Sequence, residues 1–245
     1  MIDMPQIKNN VNEVIQIKSY TGTSAEIYFY GEIVSDSWEA WTDEDQYPDN
    51  IKNLLKEHEG KNLDIYINSG GGSVFAGIAI YNILKRHSGY KTVHVDGIAA
   101  SIASVIALAG DRVIIPKNAF MMIHKPWSWC IGNANDFRRE AEVMDTLEQS
   151  IIGIYEEHLC EGVDIETIAD MVDAETWLTG EQAAEYFNIE VGEEKQIAAC
   201  ADLSRFKNAP KNLQIKAEHS INHKKAAATA AKIKSLCISG MTKGA

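Results

Sequence analysis

No run in this 245-residue chain approaches the about 20 consecutive apolar residues that a membrane-spanning helix needs. The longest candidate, residues 97–110, is short and consists largely of Ala, Gly and Ser. Residues 1–15 lack the basic-then-apolar layout of a signal peptide. Cysteine is scarce: Cys130, Cys160, Cys200 and Cys237 are scattered, with no CxxC pair and no Cys/His cluster. That pattern argues for free thiols in a reducing compartment and against a structural metal. Together these absences predict a cytosolic chain with no membrane segment and no resident cofactor.

Two nucleotide-binding signatures are also missing. The glycine-rich run Asn68-Ser69-Gly70-Gly71-Gly72-Ser73 is followed by Val74-Phe75, where a phosphate-binding loop needs Lys-Ser or Lys-Thr. No G-x-G-x-x-G fingerprint follows a strand. Positive charge is in deficit, with a formal net charge of −12. From Cys200 onward nine Lys/Arg stand against two Asp/Glu, so the tail carries +7 and the first 199 residues −19. An acidic body argues against nucleic-acid binding. The basic tail suits a solvated extension, an acidic partner, or a fold back onto the body.

What is present is an ordinary globular composition, 45% apolar and 24% charged, on a chain long enough for one substantial core. Residues 25–34 read as a strand and 35–49 as an acidic, Trp-containing loop. Residues 50–58 form a short helix, 63–68 a strand and 74–86 a helix. A strand over 92–95 precedes a small-residue helix from Ser101 to Ala109, and two short strands follow at 112–115 and 119–123. Such alternation predicts an α/β fold with a largely parallel sheet. Residues 133–159 carry apolar residues every three or four positions and predict one long helix, of about 40 Å. That is long enough either to cross the sheet or to project into a neighbouring subunit. A short helix over 164–172 and a capping box at Thr179-Gly180-Glu181-Gln182 complete the body. The division is an N-terminal segment 1–24, a body 25–199 and an extension 200–245.

Ser101 stands where the strand meets its helix, near main-chain N–H groups that favour developing negative charge. The glycine loop offers further main-chain donors, and Gly72 N–H with Ile102 N–H would form an oxyanion hole. His124 ends an apolar strand before Lys125-Pro126. A serine hydroxyl needs an adjacent base, so the two residues support each other. Ser69, Ser73 and Ser104 are rivals to Ser101 by residue type, and Ser104, one turn into the helix, is suited to bonding back to the backbone. An acid should orient the imidazole, and the connector 173–178 supplies Asp173 and Glu175.

These residues carry a resemblance. Tyr66-Ile67-Asn68-Ser69, the glycines with Ser73, Ala79-Ile80-Tyr81, Gly97 to Ser101, Met122-Ile123-His124 with Pro126, and Leu178 with Ala184-Glu185-Tyr186 occur in the order seen in one family. From about Ala25 to Ile189 the chain resembles the Clp protease proteolytic subunit, and more closely the Clp-like head-maturation peptidases of phages and prophages. The resemblance implies a crotonase-like fold of repeated β-β-α or β-α-β units with a long projecting helix. It implies Ser101 as nucleophile, His124 as general base, and Gly72 and Ile102 as oxyanion-hole donors. It also implies a polypeptide substrate, a homo-oligomeric ring enclosing the sites, and an AAA+ unfoldase as a possible partner.

The chain departs from the family at several points. The usual catalytic aspartate falls at Glu175, with Asp173 as the fallback. Gly70 replaces a proline, and Ser128 and Trp129 replace two glycines after the histidine. Three other readings therefore stand beside the serine endopeptidase: a crotonase-type acyl-CoA enzyme, a Ser–Lys peptidase, and a catalytically silent ring or scaffold subunit.

Overall fold

The computed structural model describes residues 24–42, 44–194, 203 and 205–210. The N-terminal segment, Cys200 and Cys237, and the tail beyond 210 lie outside the described residues.

Five parallel strands form the main path of the sheet in the order β1-β2-β3-β4-β7. These are β1 (Ser24–Phe29), β2 (Asn62–Ser69), β3 (Lys91–Ala100), β4 (Arg112–Pro116) and β7 (Glu190–Gly192). Helices α1 (Pro48–Glu57) and α2 (Val74–Arg86) connect the early strands. In β1 every second residue is buried, with Ala25, Ile27 and Phe29 facing the core. The opposite face presents Tyr28, Tyr66 and His94 as a stacked ladder at 4.9 and 5.0 Å. This half of the sheet thus has one covered face, which explains its alternating sequence.

Strand β3 changes partners midway. Thr92 to His94 pair with β4, whereas Ile98 to Ala100 pair with β5 (Phe120–Ile123). Strand β5 in turn pairs antiparallel with β6 (Thr176–Thr179). Residues 97–100 are buried on both faces, so alternation disappears where β3 approaches Ser101. The sequence reading ends this strand at Val95 and treats 173–178 as a connector. The structure extends β3 by five residues and makes 176–179 a strand.

Ser101 then caps α3 (Ile102–Ala107), which is entirely buried. The long helix α4 (Ala134–Glu156) starts from an Asn133–Asp136 capping box. Its buried residues are Ile151 and Tyr155, both near its C-terminus, while Phe137 and Val143 are exposed on the single chain. Helix α5 (Ile165–Asp173) is capped by Asp164, and α6 (Gly180–Ala183) starts at the expected Thr179 capping box but ends after one turn. No helix among the described residues is long and apolar enough to cross a membrane.

Tyr155 ties α4 to the start of α3. Its hydroxyl lies 2.7 Å from Ser104 Oγ, which donates to the Ser101 carbonyl at 2.6 Å. Ser104 has one hydroxyl proton, so Tyr155 must be the donor to it. Burial pushes the Tyr155 phenol well above its usual range and keeps it neutral. Ser104→Ala would strand the Tyr155 hydroxyl in the core. The expected loss is about 1–3 kcal/mol of stability, measurable by denaturant unfolding; an unchanged midpoint would sink this account.

Candidate active site

The Ser101 backbone is held in an unusual conformation. Among the described residues two non-glycines have positive φ, Ser101 at 56° and Glu175 at 51°. Such geometry costs about 1–3 kcal/mol per residue and persists where surrounding contacts over-determine it. For Ser101 the constraints are visible. Its N–H donates to the Met122 carbonyl at 2.9 Å, and its own carbonyl receives the Ser104 hydroxyl. Strand β3 therefore turns sharply into α3, presenting the hydroxyl at the elbow.

The same Met122 contact brings the end of β5 alongside. His124 Nε2 lies 2.8 Å from Ser101 Oγ, the hydrogen bond a base needs to accept the serine proton. His124 is half-buried, and its desolvation holds the imidazole below its ordinary value of 6.5. The Glu175 charge acts in the opposite direction, and Arg205 adds to the lowering.

The glycine loop closes the other side. Gly71 has φ of 89°, and a Cβ there would lie 2.7 Å from the Ala100 carbonyl oxygen and 2.8 Å from Ser101 Cβ. Gly72 has φ of 152° and runs beside Ile33, whose carbonyl oxygen would meet a Cβ at 2.0 Å. Only glycine lets this loop approach the elbow and Ile33 so closely. Ile102 is the first residue of α3, where an N–H has no intrahelical acceptor.

The rival serines are otherwise engaged. Ser69 Oγ donates to Gly31 O and accepts from Gly71 N–H, and Ser73 caps α2. Ser104 bonds back to the backbone as described.

The two candidate acids differ. Asp173 is exposed and paired with Lys125 at 2.7 Å, which lowers its carboxyl below the usual range. Glu175 is the acid whose charge reaches His124. Among the described residues, however, no hydrogen bond joins it to the imidazole: its Oε1 accepts the Asn208 main-chain N–H at 2.6 Å.

Asn208 belongs to a stretch that the sequence reading leaves in an extension. Leu203, Phe206 and Ala209 are buried against Ile98, Ala100 and Met122, with Phe120 and Trp177 alongside. Nothing in the local sequence flags these residues, because their contacts are with elements far away in the chain and follow no periodicity. Among the described residues no group of His, Cys, Asp or Glu is arranged to hold a metal ion.

Fold and site together define a class: a mostly parallel α/β protein with a Ser–His pair at a strand-to-helix elbow, backed by a glycine loop. Residues 10–190 match the family model for Clp protease, and the chain belongs to that family. The ATP-dependent Clp protease proteolytic subunit of Bacteroides fragilis is 35% identical over 130 residues, 52% of this chain and 61% of that protein. Proteolytic subunit 1 of Salinibacter ruber is 33% identical over 138 residues, 54% of this chain and 58% of that protein. Its namesake in Streptomyces avermitilis is 35% identical over 136 residues, 54% and 61% of the two chains. The matched region thus spans about three fifths of these relatives' length.

Proposed function

We propose that this chain is a serine endopeptidase that cleaves polypeptides through an acyl-enzyme. The observation that carries the reading is the 2.8 Å contact between Ser101 Oγ and His124 Nε2 at a strained elbow. Ser101 Oγ attacks the scissile carbonyl as His124 Nε2 takes its proton. The resulting oxyanion is received by the N–H groups of Gly72 and Ile102, each typically worth about 10²–10³ in rate. His124 then returns the proton to the departing amine, and water, activated by the same imidazole, hydrolyses the Ser101 ester. Glu175, whose charge reaches His124 without a hydrogen bond to it, stabilises the imidazolium cation.

The chain acts as a homo-oligomeric ring in the cytoplasm, with its sites facing an enclosed chamber. Support comes from α4, whose apolar Phe137 and Val143 are exposed on the single chain, and from exposed Trp127, Trp129 and Ile131 just before it. An AAA+ unfoldase is the corresponding partner, in keeping with the relatives named as ATP-dependent. The finer reading is a phage or prophage head-maturation peptidase, and it rests on the motif resemblance.

The test is mass-spectrometric mapping of a fluorophosphonate probe on the assembled protein. Labelling confined to Ser101 supports the reading; a folded, assembled but unlabelled protein contradicts it. The pH dependence is a second check. The base works only when Nε2 is unprotonated, so the rate rises as pH increases through the His124 pKa. Because burial lowers that pKa, the labelling rate should reach half its plateau below pH 6.5. A midpoint above 6.5 would mean that the Glu175 charge outweighs desolvation.

A further inference from the structure

Residues 203 and 205–210 run across three parts of the Ser101 site. At one end Arg205 Nη2 donates to the Gly70 carbonyl at 2.7 Å, and Nη1 lies 3.2 Å from Glu32 Oε1. In the middle the Phe206 ring stands edge-on to His124, with centroids 5.4 Å apart and an 83° interplanar angle. The same ring meets Trp177 at 5.8 Å. At the other end Asn208 N–H donates to Glu175 Oε1, and Asn208 Nδ2 donates to the carbonyls of Ala174 at 2.9 Å and Glu175 at 3.3 Å.

We propose that Phe206 and Asn208 are positioning residues of the active site, through which the chain's own C-terminal segment walls in His124 and braces Glu175. This rests on the peptidase reading above for its functional meaning. Two alternatives are a segment that merely covers apolar surface and a segment that plugs the site. A mere cover has no reason to end in polar contacts on the glycine loop and the acid. A plug should compete for the nucleophile, yet the Ser101–His124 hydrogen bond is intact with the segment in place.

Bracing is needed because Glu175 holds a left-handed backbone on a flexible side chain with no bond to the imidazole. Asn208 supplies contacts to its main chain and to one carboxylate oxygen. The second oxygen keeps its own lone pairs, and the carboxylate charge acts on His124 to favour its cation. Phe206 supplies the wall that keeps water from the ring. Among the described residues, His124 meets the Ser101 hydroxyl and the Phe206 ring and feels the charges of Glu175 and Arg205. Lys125, next in sequence, is compensated by Asp173 and Glu148. Removing the wall rehydrates the imidazole, so its pKa moves up towards 6.5.

The experiment uses the full chain, with Phe206→Ala, Phe206→Leu and Asn208→Ala beside wild type. Fluorophosphonate acylation of Ser101 is followed against pH, His124 is titrated by NMR, and melting curves monitor folding. Phe206→Ala should slow acylation roughly ten- to a hundredfold, the scale of a misplaced catalytic group. It should also move the acid limb and the His124 titration to higher pH, while Phe206→Leu restores most of both. Asn208→Ala should lower the plateau several-fold and leave the acid limb in place. Faster acylation in Phe206→Ala, or an unmoved His124 titration in a folded protein, would overturn the proposal. If wild type itself is not acylated the peptidase reading fails, and the His124 titration still decides whether this segment holds the imidazole.

Discussion

Ser101→Ala is expected to abolish fluorophosphonate labelling and to reduce peptide cleavage by about 10⁴–10⁶-fold. The size follows from the division of labour in the site. Without the hydroxyl there is no acyl-enzyme, and His124 has no proton to take. What remains is the set of main-chain donors, which can still polarise a bound carbonyl towards attack by water. The fold should survive, because the contacts that shape the elbow are made by the Ser101 backbone: its N–H to Met122 and its carbonyl to Ser104. Alanine at φ of 56° carries the same backbone strain as serine, so the melting temperature should shift little. Melting therefore serves as an internal control. If the folded variant still cleaves peptides at the wild-type rate, Ser101 is not the nucleophile and the acyl-enzyme route is wrong.

Those elbow contacts also explain why the site is unevenly legible in the sequence. Helix α2 has the bounds that its apolar spacing implies, Val74–Arg86, because Ala76, Ile80 and Leu84 face one core. Ser101 and His124 can be paired from sequence because one opens a helix after an apolar strand, the other ends an apolar strand, and a serine hydroxyl needs a base. The adjacency itself is a property of the sheet, arising when β3 switches from β4 to β5. That switch hides the second half of β3 from a reading based on alternation, since residues 97–100 are covered on both sides. Strand β6 has four residues and borrows its order from β5, so its propensity alone reads as a connector.

Glu175 shows the opposite limit. The family resemblance nominates it, but its carboxylate is held by the Asn208 main-chain N–H, a contact spanning 33 positions. No local pattern encodes such a contact. Phe206 sits in a basic, weakly apolar stretch and becomes buried only because Met122, Ile98 and Trp177 leave a matching surface. Residues whose role depends on one distant partner are silent in periodicity, whereas those repeated along one face are not.

Gly71→Ala is expected to cut Ser101 acylation by about 10²-fold or more, far beyond what its stability loss would cause. Two costs combine at this position. The first is the backbone, since φ of 89° lies outside what an L-residue adopts comfortably, at about 1–3 kcal/mol. The second is steric and aimed at the chemistry. The new methyl would sit 2.8 Å from Ser101 Cβ and 3.2 Å from Ile102 N, so both the proposed nucleophile and a proposed oxyanion donor must shift. Gly60 separates the two effects: its φ is 76°, yet a Cβ there meets nothing within 4 Å. Gly60→Ala should therefore lower the melting temperature through backbone strain while labelling proceeds at the wild-type rate. If both variants lose stability alike and keep acylation alike, the glycine loop is only a turn. If Gly71→Ala alone goes silent while still folded, close approach of main chain to the Ser101 elbow is what the run of glycines is for.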